Sequence, residues 1–162
     1  MAERAFRPMA IPELDAEFLF RRRPVAVPGD LRPIWRIGLL VLLLKRCCRQ
    51  SRSSLTRLHV LNWAVRTENN HQALIELVAN VRSPDSLIVR FDPAFNRAMD
   101  FALGEGLVRR VDGSRIELTS SGDAMADEIA KNEGLYSGEK TFVDEIRQRV
   151  TETVVDSMFG AR

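Results

Sequence analysis

The sequence predicts a mainly α-helical fold carrying a small β-hairpin, and three observations between residues 91 and 131 predict it. Asp92-Pro93 can start a helix, because aspartate is a competent N-cap and proline suits the first helical position, where its missing N–H is not needed. Asp112-Gly113, set between the β-compatible runs Leu107 to Val111 and Arg115 to Leu118, signals a tight hairpin because both positions tolerate φ > 0. Thr119 to Ser121 can cap a second helix, Asp123 to Lys131. In the helix that follows Asp92, Phe95, Met99, Ala102 and Leu103 fall on one side and Ala94, Ala98 and Phe101 on another, so core is expected around much of it until Gly104 and Gly106 end it.

Helix, two-stranded hairpin and helix in this order form the tail of a winged helix-turn-helix domain, with Leu118 to Gly122 as the strand-to-helix exit. The expected fold is therefore mainly α with a small hairpin or three-stranded wing, an extended N-terminal arm and a long C-terminal helix. Residues 1–32 make the arm, 33–133 the winged-helix domain and 134–162 the C-terminal amphipathic helix.

Met1 to Pro33, the arm with the residue that follows it, carries five of the seven prolines, at Pro8, Pro12, Pro24, Pro28 and Pro33, and each removes a donor and restricts its predecessor. Glu13 to Phe20 can form one short helix, presenting Leu14, Phe18, Leu19 and Phe20 just before Arg21, Arg22 and Arg23. Such an arm either packs on its own domain or clasps a partner subunit, and its three arginines are candidates for phosphate contact. Pro33 to Arg49 reads as a buried helix, with Ile34, Ile37, Leu40, Val41 and Leu44 on one face and Trp35, Leu39, Leu42 and Leu43 extending it around. Lys45, Arg46 and Arg49 lie at its C-terminal end, where cations complement the helix dipole.

Gln50 to Ser54 is a capping-competent linker, and helices over Leu55 to Arg66 and Asn69 to Val81 follow. His59 and Trp63 sit four apart on the first of these, a spacing that suits packing, since no carboxylate or nucleophile accompanies the histidine in sequence. Leu87 to Phe91 is a short β-run expected to pair with the hairpin as a third strand. After a break at Asn132-Glu133-Gly134, Gly138 to Phe159 reads as one long helix with Phe142, Ile146, Val150, Val154 and Met158 recurring every four residues. That stripe either packs on the chain's own core or buries in a partner.

A hydrophobic content of 45% over 162 residues suffices for one domain with extensions. The apolar run Ile37 to Leu44 falls far short of the roughly 20 residues that span a bilayer, and Met1 to Arg23 has charges where a signal peptide is apolar, so a cytoplasmic protein is expected. Adjacent Cys47 and Cys48 cannot bridge each other normally, and no ligand-spaced Cys or His pair suggests zinc. Charge is asymmetric, +6 over residues 1–53 and −4 over residues 54–162.

No phosphate-binding glycine loop, nucleophile elbow or paired-histidine metal motif is present, so neither catalysis nor a cofactor is expected. A helix that reads DNA bases needs exposed basic and amide side chains. The helix before the hairpin offers Asn96 and Arg97 against Asp92, Asp100 and Glu105, a formal −2 that disfavours sequence reading. The hairpin itself places Arg109, Arg110 and Arg115 around Asp112-Gly113, which suits either solvated arginines or a grip on phosphates without sequence preference.

Three segments, Leu58-His59-Val60-Leu61-Asn62-Trp63-Ala64, Arg90-Phe91-Asp92-Pro93-Ala94-Phe95-Asn96-Arg97-Ala98 and Glu105-Gly106-Leu107-Val108, resemble the middle component of ABC-three-component systems. These are bacterial conflict operons, Lamassu-type anti-phage defence among them, that pair an SMC-like ABC ATPase and an effector with a small winged-helix protein. The similarity covers about residues 31 to 155 and leaves out the arm. The resemblance implies a non-catalytic accessory subunit that sits on the ATPase, contacts DNA near it and helps restrain or release an effector nuclease in anti-phage or anti-plasmid defence. The alternatives are a dimeric winged-helix transcriptional regulator, whose C-terminal helix would make the homodimer, and a structural adaptor that never touches DNA.

Overall fold

A computed structural model describes residues 32–160, and its elements are arranged about α1 (Pro33–Cys47). Ile37 to Leu44 carries no polar side chain, and the whole run is buried, as a helix without a polar face must be. Around it lie α2 (Leu55–Val65), α3 (Glu68–Val78), α4 (Pro93–Gly104) and α5 (Ser120–Lys131), with α4 and α5 packed most extensively against it. Short side chains start these helices: Ser54, Thr67, Asp92 and Thr119 each accept from a backbone N–H of the first turn. Asp92 and Pro93 thus take the N-cap and first-turn places that the sequence suggests.

Strands β1 (Arg52–Ser54), β2 (Val108–Val111) and β3 (Arg115–Leu118) form an antiparallel sheet in the order β1-β3-β2. Asp112 (φ 49°) and Gly113 (φ 75°) both adopt the left-handed conformation, within a loop that sets Val111 opposite Arg115. The third strand is not the expected one. Leu87 to Phe91 alternates in burial like a strand, with Leu87 and Val89 turned to the core and Ile88 and Arg90 outward, yet it pairs with no strand among the described residues. The place beside β3 belongs to β1, whose Arg-Ser-Ser sequence carries no β signal.

Gly122 lets α5 approach the base of the hairpin, because a Cβ there would lie 2.0 Å from the Leu107 carbonyl oxygen. Thr119 closes the same joint, its N–H donating to Leu107 O at 3.1 Å and its hydroxyl to Gly106 O at 2.6 Å.

The long C-terminal helix is also corrected. The segment is two helices, α6 (Ser137–Ile146) and α7 (Glu152–Phe159), broken at Arg147 (φ 43°, ψ −130°) and restarted by Thr151 as N-cap. A four-residue spacing drifts about 40° per step around a helix of 3.6 residues per turn, so one straight helix cannot hold five such residues on one face. The break resets the phase. Phe142, Ile146 and Val150 all reach the core that α1 occupies, so residues 134–160 share one interior with the rest of the described chain. Among the described residues, no helix is long and apolar enough to cross a membrane.

Candidate functional site

The hairpin arginines separate into two kinds. Arg109 is committed to its cross-strand neighbour Glu117, with Nε at 2.9 Å and Nη2 at 2.7 Å from the carboxylate. Arg110 and Arg115 are exposed and have no partner among the described residues. Strand alternation puts Arg110 on the face of Val108 and Ile116 and Arg115 on the opposite one, beside Arg109 and Arg52. The hairpin therefore carries free cations on both faces. Arg52 meets Asp112 at 3.3 Å, an exposed pair of small energetic weight.

Behind the hairpin, the helix α4 is poorly equipped to read bases. Asn96 is exposed, but its Oδ1 is engaged, 2.7 Å from His59 Nε2. His59 is buried, lies 4.5 Å from the Phe91 ring in a stacked arrangement and meets Phe95 edge-on. Burial holds its pKa below the ordinary histidine value, against the hydrogen bond to Asn96 and the charge of Asp92. A neutral packing histidine results.

Asp92 is buried beside this cluster and pairs with the guanidinium of buried Arg36, while Arg66 Nη1 approaches at 3.4 Å. Burial raises the carboxyl pKa, but the Ala94 N–H and the Arg36 charge outweigh it and hold the group below the usual carboxylate range. The first two family-like segments thus meet in space, through His59 on one and Phe91, Phe95 and Asn96 on the other.

Of the C-terminal stripe, Phe142, Ile146 and Val150 are at most 1% exposed, which removes them as an open partner surface; Val154 and Met158 are partly buried against the same core. Their burial follows from the broken helix. What the region leaves in solvent is Leu135 and Phe159, each about half exposed, the latter edge-on to the half-exposed Phe91 at 5.9 Å. Leu14, Phe18, Phe20, Arg21, Arg22 and Arg23 lie outside the described residues.

Cys47 and Cys48 are buried free thiols, each pushed up in pKa by burial, which makes thiolate chemistry unfavourable there. Among the described residues, no group of three or more His, Cys, Asp or Glu is placed to hold a metal ion.

The arginines that hold the fold are barely marked in the sequence. Arg36 anchors α1 to α4 through Asp92. Arg57 is buried, donates to the Cys47 carbonyl at 2.6 Å and lies 3.9 Å from Glu152, which also accepts from the Ser54 N–H and hydroxyl. A lone arginine inside an apolar run was the available signal at Arg36; nothing in sequence marks Arg57. Lys45, read as a helix-end cation, also reaches Asp123 at 2.7 Å and Asp127 at 3.3 Å, joining α1 to α5. Compared with known proteins, the chain matches no family model, no curated protein and no solved structure.

Proposed function

We propose that this chain is a cytoplasmic, non-catalytic winged-helix subunit that binds an SMC-like ABC ATPase and helps couple DNA sensing to an effector nuclease in anti-phage or anti-plasmid defence. The fold supports the winged-helix reading through its order of α1, β1, helices, then α4, hairpin and α5. One observation carries the functional reading: two of the segments resembling the ABC-three-component middle subunit converge on a single packed cluster, His59 with Phe91, Phe95 and Asn96. The free Arg110 and Arg115 suit DNA contact through phosphates, without sequence preference.

The second reading is a homodimeric transcriptional regulator. Against it stand the exposed acids Asp100 in α4 and Glu105 at its end, and the engagement of Asn96 Oδ1 by His59. The test is co-purification of the tagged protein with the products of its neighbouring genes at moderate salt. Recovery of an ABC ATPase with a nuclease-like third chain is expected, whereas emergence alone as a homodimer that binds its own promoter favours the regulator. Phe159→Asp then asks whether the exposed aromatic edge docks the ATPase; Phe142 and Ile146, being buried, report folding instead.

A further inference from the structure

Well away from the hairpin, a cleft of about 630 Å³ opens between the start of α1, the end of α2, the start of α3, the 87–91 segment and α6, with Trp35, Trp63, Arg66, Asn70, Arg90 and Glu139 among its lining. Helix α2 carries the chain from the sheet at Leu55 to the cleft at Trp63, an axial rise of about 12 Å. The cleft holds both tryptophans of the protein.

Trp35 is a fixed platform. Tyr136 stacks on it at 5.6 Å, donates its hydroxyl to the Trp35 carbonyl at 2.8 Å, and is itself admitted by Gly38, where a Cβ would lie 2.1 Å from that hydroxyl. Burial pushes the Tyr136 phenol up to about 12, so it remains a neutral donor at physiological pH. Trp63 is steadied through its carbonyl, which accepts from Asn70 Nδ2 at 2.9 Å.

The unused hydrogen-bonding capacity of the lining consists mainly of donors. Neither indole N–H has an acceptor among the described residues, Arg90 is exposed and unpaired, and Arg66 is engaged only at 3.4 Å. Glu139 is the one carboxylate among the described residues of the lining. Aromatic platforms beside unpaired guanidinium groups match a ligand with a π-face and an anionic, acceptor-rich end.

We infer that this cleft binds a nucleotide unit, an aromatic base with its phosphate, carried in a single strand or free. The base stacks on the indoles and the phosphate meets Arg90, with Arg66 at hand. The site is independent of the ATPase partnership, which can fail its test while this one holds.

Because both tryptophans line the cleft, intrinsic fluorescence of the full chain reports on it selectively. Titration with a short oligothymidylate and with thymidine 5′-monophosphate is expected to quench that emission saturably. Quenching by the strand alone identifies single-stranded nucleic acid as the source, and quenching by both identifies a site for which the free nucleotide suffices. Arg90→Ala, a change at an exposed position, is expected to weaken the effect about tenfold, as loss of a charged hydrogen bond does. Lys131→Ala, at an exposed position outside the lining, is expected to leave it unchanged. The inference is overturned if neither probe quenches, if heparin, a polyanion without bases, quenches equally, if folded Arg90→Ala binds as the wild type does, or if a peptide of residues 1–31 quenches in place of the nucleotides.

Discussion

Arg36 and Arg57 are each 5% exposed inside the fold, whereas Arg110 and Arg115 stand in solvent on the two faces of the hairpin. The inner pair is spent on the chain's own acceptors: Asp92 for Arg36, and the Cys47 carbonyl with Glu152 nearby for Arg57. The outer pair has no such acceptor among the described residues. A buried guanidinium must be matched by carboxylate or carbonyl to offset desolvation, while an exposed one keeps its water and remains available to a phosphate. Residue type alone therefore does not mark a binding arginine; what surrounds it does.

The largest loss is expected at Arg36. Arg36→Met leaves the buried Asp92 with the Ala94 N–H and the more exposed Arg66 at 3.4 Å, and removing one member of a buried pair costs about 3 kcal/mol or more. Urea unfolding measures this, and a loss no larger than that of an exposed arginine would dissolve the distinction. Arg57→Met removes the donor to the Cys47 carbonyl and is expected to lose about 1–3 kcal/mol in the same assay.

A pH series sharpens the point. The Asp92 carboxyl is depressed in the folded state, so its contribution is fully present above the unfolded value of about 3.9 and is lost as pH falls through the folded one. Between about pH 5 and pH 2 the wild type should accordingly lose more stability than Asp92→Asn, which carries no titrating group there; parallel curves would contradict the assignment. The smallest effect on stability belongs to Arg110→Ala/Arg115→Ala, expected to stay within about 0.5 kcal/mol of the wild type by thermal unfolding.

Much of this architecture is legible in sequence because it depends on local chemistry. Asp92-Pro93, Asp112-Gly113 and Thr119 act through their own backbone neighbours, and the structure places them at the helix starts and turn they suggest. The buried α1 is equally plain, since an unbroken apolar run has nowhere else to go. What escapes depends on residues far apart in the chain. β1 is a strand only because β3 offers a free edge to three polar residues. The break at Arg147 appears when the four-residue stripe is set against the true helical period, and it sends Phe142, Ile146 and Val150 into the interior. The candidate site divides likewise: arginines on a hairpin can be located from sequence, but the Glu117 partner that distinguishes Arg109 from Arg110 lies on another strand. The tryptophan cleft is assembled from four helices and a loop, and no spacing announces it.

The most direct measurement is the salt dependence of duplex DNA binding by the wild-type protein and by Arg110→Ala/Arg115→Ala, at matched fold stability. If the exposed hairpin arginines grip phosphates, the variant binds more weakly across unrelated sequences, and the slope of log K against log salt falls by about 1.8, near 0.9 for each lost contact. Identical slopes for the two proteins would contradict the account, leaving Arg110 and Arg115 as solvated surface and the hairpin without a role in holding DNA.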